Sequence, residues 1–339
     1  PREGFYVPSR GDSGVRVAYA DELELEFHPI AQLQPLDPEV KWKRGTIVEV
    51  MRGCPRGCRF CLEGNVYGPK RDRPLEQVEE IAERGSEYNK SRRAFLLSLS
   101  YFDHSRADEI LEELVDGGFE ISVPSLRVET LDRDRLELIA RGGQRTISIA
   151  PEVANPRLGT AIGKPFFEEV VEKAVGEALD AGIRSVKLYF MIGLPGESLR
   201  DVEKIAEFVG RLSEIAKSRG GNIKVSVSPF VPKPQTPMQW FGFEDLGSLR
   251  KKIALLEREL GGRAELRIHD PRLSRIQAIL ARGGREIAKV IALWAEAGGG
   301  LGGWRRAVRN SGLREEEYLR PIEVGERLPW SRVEVYRRA

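Results

Sequence analysis

All three cysteines of the chain lie in one short segment, Cys54-Pro-Arg-Gly-Cys58-Arg-Phe-Cys61. The segment directly follows an apolar run, Thr46–Met51, and its Gly and Pro residues favour a tight loop. A 4Fe–4S cluster normally takes four thiolates, so three thiolates on one loop would leave one iron without a protein ligand. Reactive metal sites keep such an open position and structural sites close it, a contrast best documented for zinc. The spacing therefore indicates a catalytic iron–sulfur cluster.

Zinc binding and disulfide formation are the alternatives for three clustered cysteines. A structural zinc site needs a fourth ligand, and none of His28, His104 and His269 stands at zinc-finger spacing. A disulfide would leave one thiol over, and an odd count within one loop fits no secreted framework. The ligand count favours iron–sulfur chemistry over both.

The spacing Cys-x3-Cys-x2-Cys, with the aromatic Phe60 before the last cysteine, resembles the radical S-adenosylmethionine (SAM) superfamily. In that family the methionine part of SAM chelates the fourth iron of a 4Fe–4S cluster. An electron from the cluster then cleaves a carbon–sulfur bond of SAM to give a 5′-deoxyadenosyl radical. The resemblance implies an oxygen-sensitive enzyme that uses a 4Fe–4S cluster, with Cys54, Cys58 and Cys61 as ligands and an exchangeable fourth iron, together with SAM. It implies hydrogen abstraction from an unknown substrate, with methylation or carbon–carbon bond formation as further outcomes.

Composition describes a soluble globular protein of 339 residues, 41% of them hydrophobic and 31% charged. No apolar run reaches the length of a membrane span, and the first residues lack the apolar character of a secretory signal. We therefore expect a cytoplasmic, reducing setting. The 54 basic and 52 acidic residues leave a net charge of +2, which argues against a strongly electrostatic nucleic-acid binder. Abundant Glu and Arg beside scarce Asn and Gln point to a thermophilic source.

From residue 46 onward, short apolar runs alternate with helix-like patterns. The runs are rich in Val, Ile, Leu and Phe, which is typical of strands buried on both faces. Helices begin at signals such as the capping box Ser105–Asp108, which opens the predicted helix Ala107–Asp116, and end at glycine pairs such as Gly117-Gly118. Six strand–helix repeats imply a parallel sheet with right-handed crossovers. The predicted strands are Thr46–Met51, Ala94–Ser100, Glu120–Val123, Thr146–Ala150, Ser185–Ile192 and Asn222–Pro229.

The repeat pattern and the fold implied by the superfamily agree. We expect an α/β fold in which residues 46–240 form a partial (β/α)6 radical SAM barrel. Residues 1–45 are expected to be an N-terminal extension with small β structure, because Glu22–Phe27 alternates in polarity, and residues 241–339 a mostly helical C-terminal region. Chemistry in such sheets gathers at the carboxyl ends of the strands. The cysteine loop lies just past the first strand, where this rule places a site.

Further segments resemble one subgroup of the superfamily, iron–sulfur proteins whose relatives often carry an N-terminal cobalamin-binding-like domain. This resemblance implies cobalamin-dependent methylation or carbon–carbon bond chemistry, so cobalamin is a further candidate cofactor. The 45 residues before the first strand are too few for a cobalamin domain, and no Asp-x-His-x-x-Gly motif occurs. Such a domain would belong to a longer chain or a separate subunit, unless cobalamin is not needed. The matching segments are Ser122–Arg127, Ala150–Glu152, Lys187–Glu197, Pro229–Pro234, Leu280–Gly284 and Leu328–Trp330.

The superfamily resemblance also implies roles for residues at the first strand ends. Phe60 would lie against the adenine of SAM. Ser98 and Ser100 occupy the place of a Gly-Gly-Glu segment of the family and would contact the amino group of SAM through backbone or hydroxyl groups. Ser125 and Arg127 follow the third strand, where a guanidinium fork can pair with the SAM carboxylate.

Later strands contribute a second set of predicted contacts. Glu152 follows the fourth strand and could accept hydrogen bonds from both ribose hydroxyls. Gly193 opens the Gly-Leu-Pro-Gly turn after the fifth strand, where glycine lets backbone come close to the adenine. Lys187, Tyr189 and Met191 alternate along the fifth strand and would point into the barrel as substrate or SAM contacts.

Each of these residues has an ordinary structural alternative. Phe60 could simply pack in the core. Arg127 could pair with Glu129 or Glu152 and never meet a ligand, since ion pairs of this kind are common and individually weak. Glycine-rich turns occur in many proteins for conformational reasons alone.

The main functional alternative is a non-catalytic iron–sulfur module that transfers electrons or senses redox state. A buried Glu or His as fourth ligand in place of SAM would favour that alternative. A weaker one is an RNA-binding partner that uses basic runs such as Lys41–Arg44. The enzyme hypothesis requires an external one-electron donor of the ferredoxin or flavodoxin type, because nothing in the sequence resembles a flavin or nicotinamide site. The cysteine count excludes a second, all-cysteine cluster within these residues.

Overall fold

The computed structural model describes residues 4, 14–35, 43–124 and 126–335. Its strands are β1 (Val15–Arg16), β2 (Thr46–Glu49), β3 (Met51–Arg52), β4 (Arg71–Asp72), β5 (Arg93–Leu97), β6 (Glu120–Ser122), β7 (Thr146–Glu152), β8 (Ser185–Ile192), β9 (Asn222–Pro229), β10 (Glu265–Ile268) and β11 (Val333–Glu334). Its helices are α1 (Leu62–Val66), α2 (Leu75–Asn89), α3 (Ala107–Asp116), α4 (Arg133–Arg141), α5 (Pro156–Ala161), α6 (Glu168–Asp180), α7 (Leu199–Ser218), α8 (Leu246–Leu260), α9 (Pro271–Arg282), α10 (Ile287–Glu296), α11 (Gly300–Ser311) and α12 (Glu316–Leu319).

Two parallel sheets follow one another in space. The first has the order β2-β5-β6 and the second the order β7-β8-β9-β10. A parallel bridge between Leu126 and Ile149 joins them, so the strands follow chain order with β2 and β10 at the two edges. This arrangement confirms the predicted α/β class and partial barrel. Strand β10 is an addition that the sequence pattern did not predict, and it carries the sheet past residue 240.

The outer face of the curved sheet is buried under helices, and the other face lines its interior. On β8, Val186, Leu188 and Phe190 are at most 1% exposed, whereas the alternating Lys187 and Tyr189 are only half-buried. Helices α6 and α7 pack on this part of the sheet from outside. The expectation of strands buried on both faces was therefore wrong for β8, because helices cover one face only.

Helix starts show where local signals succeed and where they fail. Helix α7 begins with a capping box in which Ser198 and Asp201 satisfy each other's backbone N–H groups, as its sequence indicates. Helix α3 has the predicted bounds, but its predicted capping box is wrong. Both carboxylate oxygens of Asp108 instead bind the guanidinium of Arg135 at 2.7 Å. A bidentate ion pair to a neighbouring helix thus replaces the local cap.

The edge of β2 is closed by side chains. The amide of Gln32 both donates to the carbonyl and accepts from the N–H of Ile47, each at 2.9 Å. The amide of Gln34 binds both backbone groups of Gly45 in the same way, each at 3.0 Å. Nε2 of His28 accepts a hydrogen bond from the next outward-pointing backbone N–H of the strand, that of Glu49. These contacts satisfy polar groups that an edge strand otherwise leaves unpaired.

The predicted β structure of Glu22–Phe27 does not form. That stretch contains a short 3-10 helix, Leu25–Phe27, so the prediction from alternation was wrong. The small β structure of the N-terminal residues is instead β1, which pairs in parallel with β11 from the other end of the chain. No local sequence pattern indicates that two strands so far apart in the chain will pair.

The residues after 240 are mostly helical, as predicted. Helix α8 packs on α7 and on β10. The following helices enclose a second apolar core formed by Ile276, Ile279, Ile287, Val290, Trp304 and Ala307. Among the helices of the described residues, none has both the length and the apolar character of a membrane span.

Candidate functional site

The cysteine loop is held in place from two sides. The backbone N–H of Arg59 donates to the carbonyl of Ile162 at 2.8 Å, and its carbonyl accepts from the N–H of Met238 at 3.2 Å. At the end of the loop, Sγ of Cys61 caps helix α1 by accepting from the N–H of Gly64 at 3.3 Å. Segments far apart in sequence therefore fix the backbone that carries the thiols.

All three cysteines open onto one cavity of about 360 Å³ at the carboxyl ends of the strands. None of the three forms a disulfide; Cys58 is buried and the other two are half-buried. The cavity is bounded by the cysteine loop, by residues that follow β5 and β6, and by interior-facing residues of β7 and β8. Its lining residues are Cys54, Cys58, Phe60, Cys61, Glu63, Leu99, Ser100, Pro124, Leu126, Arg127, Ser148, Ala150, Glu152, Lys164 and Tyr189.

Arg127 links the cysteine loop to the end of β6. Its Nη1 lies 3.5 Å from Sγ of Cys58, and its Nε donates to Oε1 of Glu129 at 2.7 Å. The arginine side chain is 12% exposed. The ion pair with Glu129, which the sequence left open as an alternative, is thus present. The guanidinium nevertheless lines the cavity, and its five donors exceed what one carboxylate can use.

Glu152 ends β7 in an unusual backbone conformation. Its φ is +69°, a left-handed value that costs a non-glycine residue energy and is concentrated at functional sites. A register shift between Ile149 and Glu152 accompanies it. Oε1 of Glu152 accepts from Nζ of Lys164 at 2.9 Å, and both side chains are 13% exposed. The cavity therefore contains a largely shielded ion pair.

Sequence reasoning missed Lys164. It lies between α5 and α6, in a loop that packs directly on the cysteine loop. A Cβ at Gly163, whose φ is +69°, would come within 2.8 Å of the carbonyl oxygen of Gly57. Gly163 and Pro165 mark a tight turn in the sequence. No local pattern, however, says that this turn meets the cysteines.

Glu63 is a second residue that the sequence analysis did not single out. Its Oε2 lies 3.5 Å from Sγ of Cys61, and it lines the cavity although the residue is exposed. The exposed position differs from the buried carboxylate that a non-catalytic cluster site was expected to show. Glu63 is thus a carboxylate of the cavity that lies next to a cysteine thiol.

Residues 48–209 match the family model described as the radical SAM superfamily. The chain carries a radical SAM domain. Over 292 residues it is 34% identical to an uncharacterized protein of Methanocaldococcus jannaschii, covering 85% of this chain and 63% of that protein. An uncharacterized methyltransferase of Pyrococcus horikoshii is 30% identical over 199 residues, covering 57% of this chain and 42% of that protein. The chain thus spans less than two thirds of the length of these curated relatives.

Solved structures include similar radical SAM enzymes. The methyltransferase TsrM of Kitasatospora setae, with cobalamin and a 4Fe–4S cluster bound, has a TM-score of 0.47 and 18% identity. The match covers 58% of this chain and 36% of that chain. The resemblance inferred from the cysteine spacing is confirmed by the family match.

The donor set of the radical SAM domain fits an iron–sulfur cluster. Three cysteine side chains face one cavity, and thiolates are the ligands that such clusters require. The N–H of Gly64 and the guanidinium of Arg127 reach two of the sulfurs, as outer contacts of cluster ligands do. Within the described residues, no three His, Cys, Asp or Glu side chains already stand at metal-binding geometry. Cluster loading must displace a proton from Cys61, because burial raises the pKa of this thiol to about 12.

Five residues predicted to contact SAM line the cavity together with the cysteines. They come from the cysteine loop and from four strands, which supports the placement of the site at the strand ends. They are Phe60, Ser100, Arg127, Glu152 and Tyr189.

The other predicted contacts lie elsewhere or outside the described residues. Ser98 is 6% exposed and does not line the cavity, and its hydroxyl has no hydrogen-bond partner among the described residues. Lys187 and Met191 lie on the interior face of β8 but do not line the cavity. Gly193 follows β8, and its N–H donates to a buried carboxylate. Ser125 lies outside the described residues. The roles of all these residues stay predictions.

Proposed function

We propose that this chain cleaves SAM reductively at a 4Fe–4S cluster held by Cys54, Cys58 and Cys61. When bound, the cluster would supply one electron, drawn from an external donor, for cleavage of the C5′–S bond of SAM into methionine and a 5′-deoxyadenosyl radical, which would take a hydrogen atom from the substrate. The observation that carries this proposal is the shared cavity. Three cysteine side chains open onto the same space as the guanidinium of Arg127 and the Glu152–Lys164 pair.

The cavity residues offer complementary groups for each part of SAM. The ring of Phe60 packs against the adenine, and Glu152 accepts hydrogen bonds from the ribose hydroxyls. Arg127 and Lys164 supply donors for the carboxylate of the methionine part. Lys164 starts out paired with Glu152, so the ammonium shifts towards the SAM carboxylate when the ribose replaces it on Glu152. These contacts would hold SAM in one orientation and exclude water from the cavity.

The residues beyond the family match would serve the substrate. We propose that residues 46–240 form the catalytic unit and that the helical residues 241–339 close over it. Methyl transfer is the outcome that the Pyrococcus horikoshii relative suggests, since that protein is described as a methyltransferase. Cobalamin would then come from a part of the protein outside this sequence or from a partner. The electron donor is a protein of the ferredoxin or flavodoxin type, and the setting is a reducing, oxygen-poor cytoplasm in a heat-adapted cell.

Anaerobic reconstitution tests the proposal. The purified chain is loaded with iron and sulfide, reduced with dithionite and incubated with SAM, and the products are measured by mass spectrometry. We expect 5′-deoxyadenosine from the wild type and none from Cys58→Ala, which also loses the brown cluster absorbance. Ser213→Ala is the control, because it removes a buried polar group of α7 that does not line the cavity. A wild type with a full cluster that yields no 5′-deoxyadenosine would contradict the proposal.

Glu63 gives the non-catalytic alternative a specific form. Its carboxylate lies 3.5 Å from Sγ of Cys61, which makes Glu63 the candidate for a fourth ligand in that alternative. Electron paramagnetic resonance of the reduced cluster distinguishes the two functions. If SAM binds the fourth iron, adding SAM changes the spectrum of the wild type and of Glu63→Gln alike. If Glu63 binds the fourth iron instead, the wild-type spectrum does not respond to SAM. The substitution Glu63→Gln then changes the spectrum of the reduced cluster even without SAM.

A further inference from the structure

Lys252 of α8 is a buried cation in the C-terminal region. Its side chain is 4% exposed, and its Nζ donates to Oε2 of Glu197 at 2.6 Å and to Oε2 of Glu244 at 2.8 Å. The side chain of Glu197 is 1% exposed, whereas that of Glu244 is 22% exposed. Glu197 and Lys252 therefore form an ion pair that is shielded from solvent, and Glu244 connects this pair to the surface.

The buried pair holds the turn that follows β8. Oε2 of Glu197 also accepts from the N–H of Gly193 at 2.5 Å. Gly193 has a φ of +80°, and a Cβ there would come within 2.8 Å of Oε2 of Glu244 and 3.0 Å of Cδ2 of Leu249. The residues around α8 thus press directly on this turn. Only glycine fits the turn, both in conformation and in space.

Charge explains why the lysine matters to this turn. Burial raises the pKa of Glu197, and the ammonium of Lys252 opposes that rise. Without the ammonium, a carboxylate that is 1% exposed would have to take up a proton or turn towards water. Either change disturbs the acceptor of the Gly193 N–H. Breaking a buried pair by removing one partner is far more disruptive than losing a surface pair.

We infer that Lys252 is a positioning residue for SAM binding, through Glu197 and the turn at Gly193. The inference rests on the proposed function and on the role predicted for Gly193 from the sequence, that its turn approaches the adenine of SAM. Lys252 lies outside residues 48–209 that match the family model. A residue of the C-terminal region would thus support the SAM site from outside the family match, through its contact with this turn.

Two measurements on Lys252→Met test the inference. Hydrogen exchange of the cluster-free chain, followed by mass spectrometry, reports protection of the backbone at residues 190–197. Calorimetry of the reconstituted chain reports the SAM dissociation constant. We expect faster exchange in that segment and SAM binding weaker by about tenfold or more, equivalent to about 1.4 kcal/mol. Lys252→Arg, which keeps the charge, should retain a large part of the wild-type protection at residues 190–197 and of the wild-type SAM affinity.

A matched control separates positioning from loss of a buried cation in general. Arg282 on α9 is 4% exposed and donates to the carbonyl of Arg320, without contact to the turn. Arg282→Met should leave exchange at residues 190–197 and the SAM dissociation constant unchanged at equal folded fraction. If it weakens SAM binding as much as Lys252→Met does, the positioning role is wrong.

A double variant covers the case in which Lys252→Met folds poorly. Lys252→Met with Glu197→Gln removes both charges and keeps an amide oxygen for the N–H of Gly193, so we expect it to fold and to recover protection at residues 190–197. The inference would be overturned if Lys252→Met showed the same hydrogen exchange and the same SAM affinity as the wild type. It would also be overturned if the double variant folded without recovering protection at residues 190–197. If the wild type itself binds no SAM, the proposed function fails, and the exchange data still decide whether Lys252 holds the turn.

Discussion

Nζ of Lys164 lies 2.9 Å from Oε1 of Glu152, and the two side chains are equally shielded, each 13% exposed. The lysine comes from the loop between α5 and α6, and the glutamate from the end of β7. The pair lines the cavity onto which the three cysteines open. The charged groups nearest to the proposed ribose site are thus already neutralised before any ligand arrives.

The Lys164–Glu152 pair predicts that Lys164→Met weakens SAM binding by about tenfold or more, because it removes a charged donor and leaves Glu152 half-buried without its partner. Lys164→Arg should retain most of the affinity. Calorimetry on reconstituted protein measures the effect. Lys173→Met, which removes an exposed lysine of α6, is the control and should bind SAM as the wild type does. Unchanged affinity in Lys164→Met would remove this residue from the site.

The contact between Arg127 and Cys58 predicts a change in the cluster when the guanidinium is shortened. Arg127→Lys keeps the charge but loses the planar fork, so it should no longer reach the sulfur and Glu129 together. Since hydrogen bonds to cluster sulfurs tune reduction potential, we expect the potential to fall in this variant. A dithionite-free redox titration followed by electron paramagnetic resonance measures it. Arg133→Lys, an exposed arginine of α4, should keep the wild-type potential. Equal potentials in all three proteins would contradict a tuning role.

Histidine titration predicts an acid-sensitive fold. Nδ1 of His104 accepts from the N–H of Arg106 at 3.0 Å, and Nε2 lies 3.0 Å from the carbonyl oxygen of Arg73. The neutral ring satisfies both contacts, and burial lowers the pKa of His104 below 6.5. The unfolded chain therefore binds a proton at this histidine more readily than the folded chain does. The free energy of unfolding should therefore fall as pH drops below about 6.5, by at most about 1.4 kcal/mol per pH unit for one proton.

Urea unfolding at a series of pH values checks this dependence on His104. His104→Gln should show a shallower decline than the wild type, while His269→Gln, which removes an exposed histidine, should keep the wild-type slope. Burial also lowers the pKa of His28, so the double variant His28→Gln/His104→Gln should flatten the decline further. A wild-type slope in His104→Gln would show that other groups cause the acid sensitivity.

The side chains that close the edge of β2 predict a second structural effect. Replacing Gln32 and Gln34 by leucine removes four hydrogen bonds to the strand and leaves its backbone groups free to pair with another chain. We expect a loss of several kcal/mol in the free energy of unfolding, at about 1 kcal/mol per hydrogen bond, together with self-association. Urea unfolding and sedimentation velocity measure the two. Gln277→Leu, at an exposed position of α9, should change neither. A monomeric double variant of wild-type stability would contradict this account.

Patterns that depend on neighbouring residues were readable from the sequence. The bounds of β8, β9 and α3 follow from runs and periodicities of apolar residues within single elements. The cysteine spacing likewise reports the geometry of one loop, and the family match agrees with what it indicated. Cys54, Cys58 and Cys61 could be proposed as ligands because all their information lies within a few residues of chain.

The tertiary structure decided which distant groups meet. Lys164 reaches Glu152, and Lys252 reaches Glu197, because loops and helices far apart in sequence pack against the strand ends. No periodic pattern in the sequence indicates either pairing, and lysine side chains in turns or on helices are most often exposed to solvent. The same reason explains the missed strand β10 and the wrong prediction for Glu22–Phe27. Strand pairing is fixed by a partner elsewhere in the chain, whereas local alternation only makes a segment eligible for it.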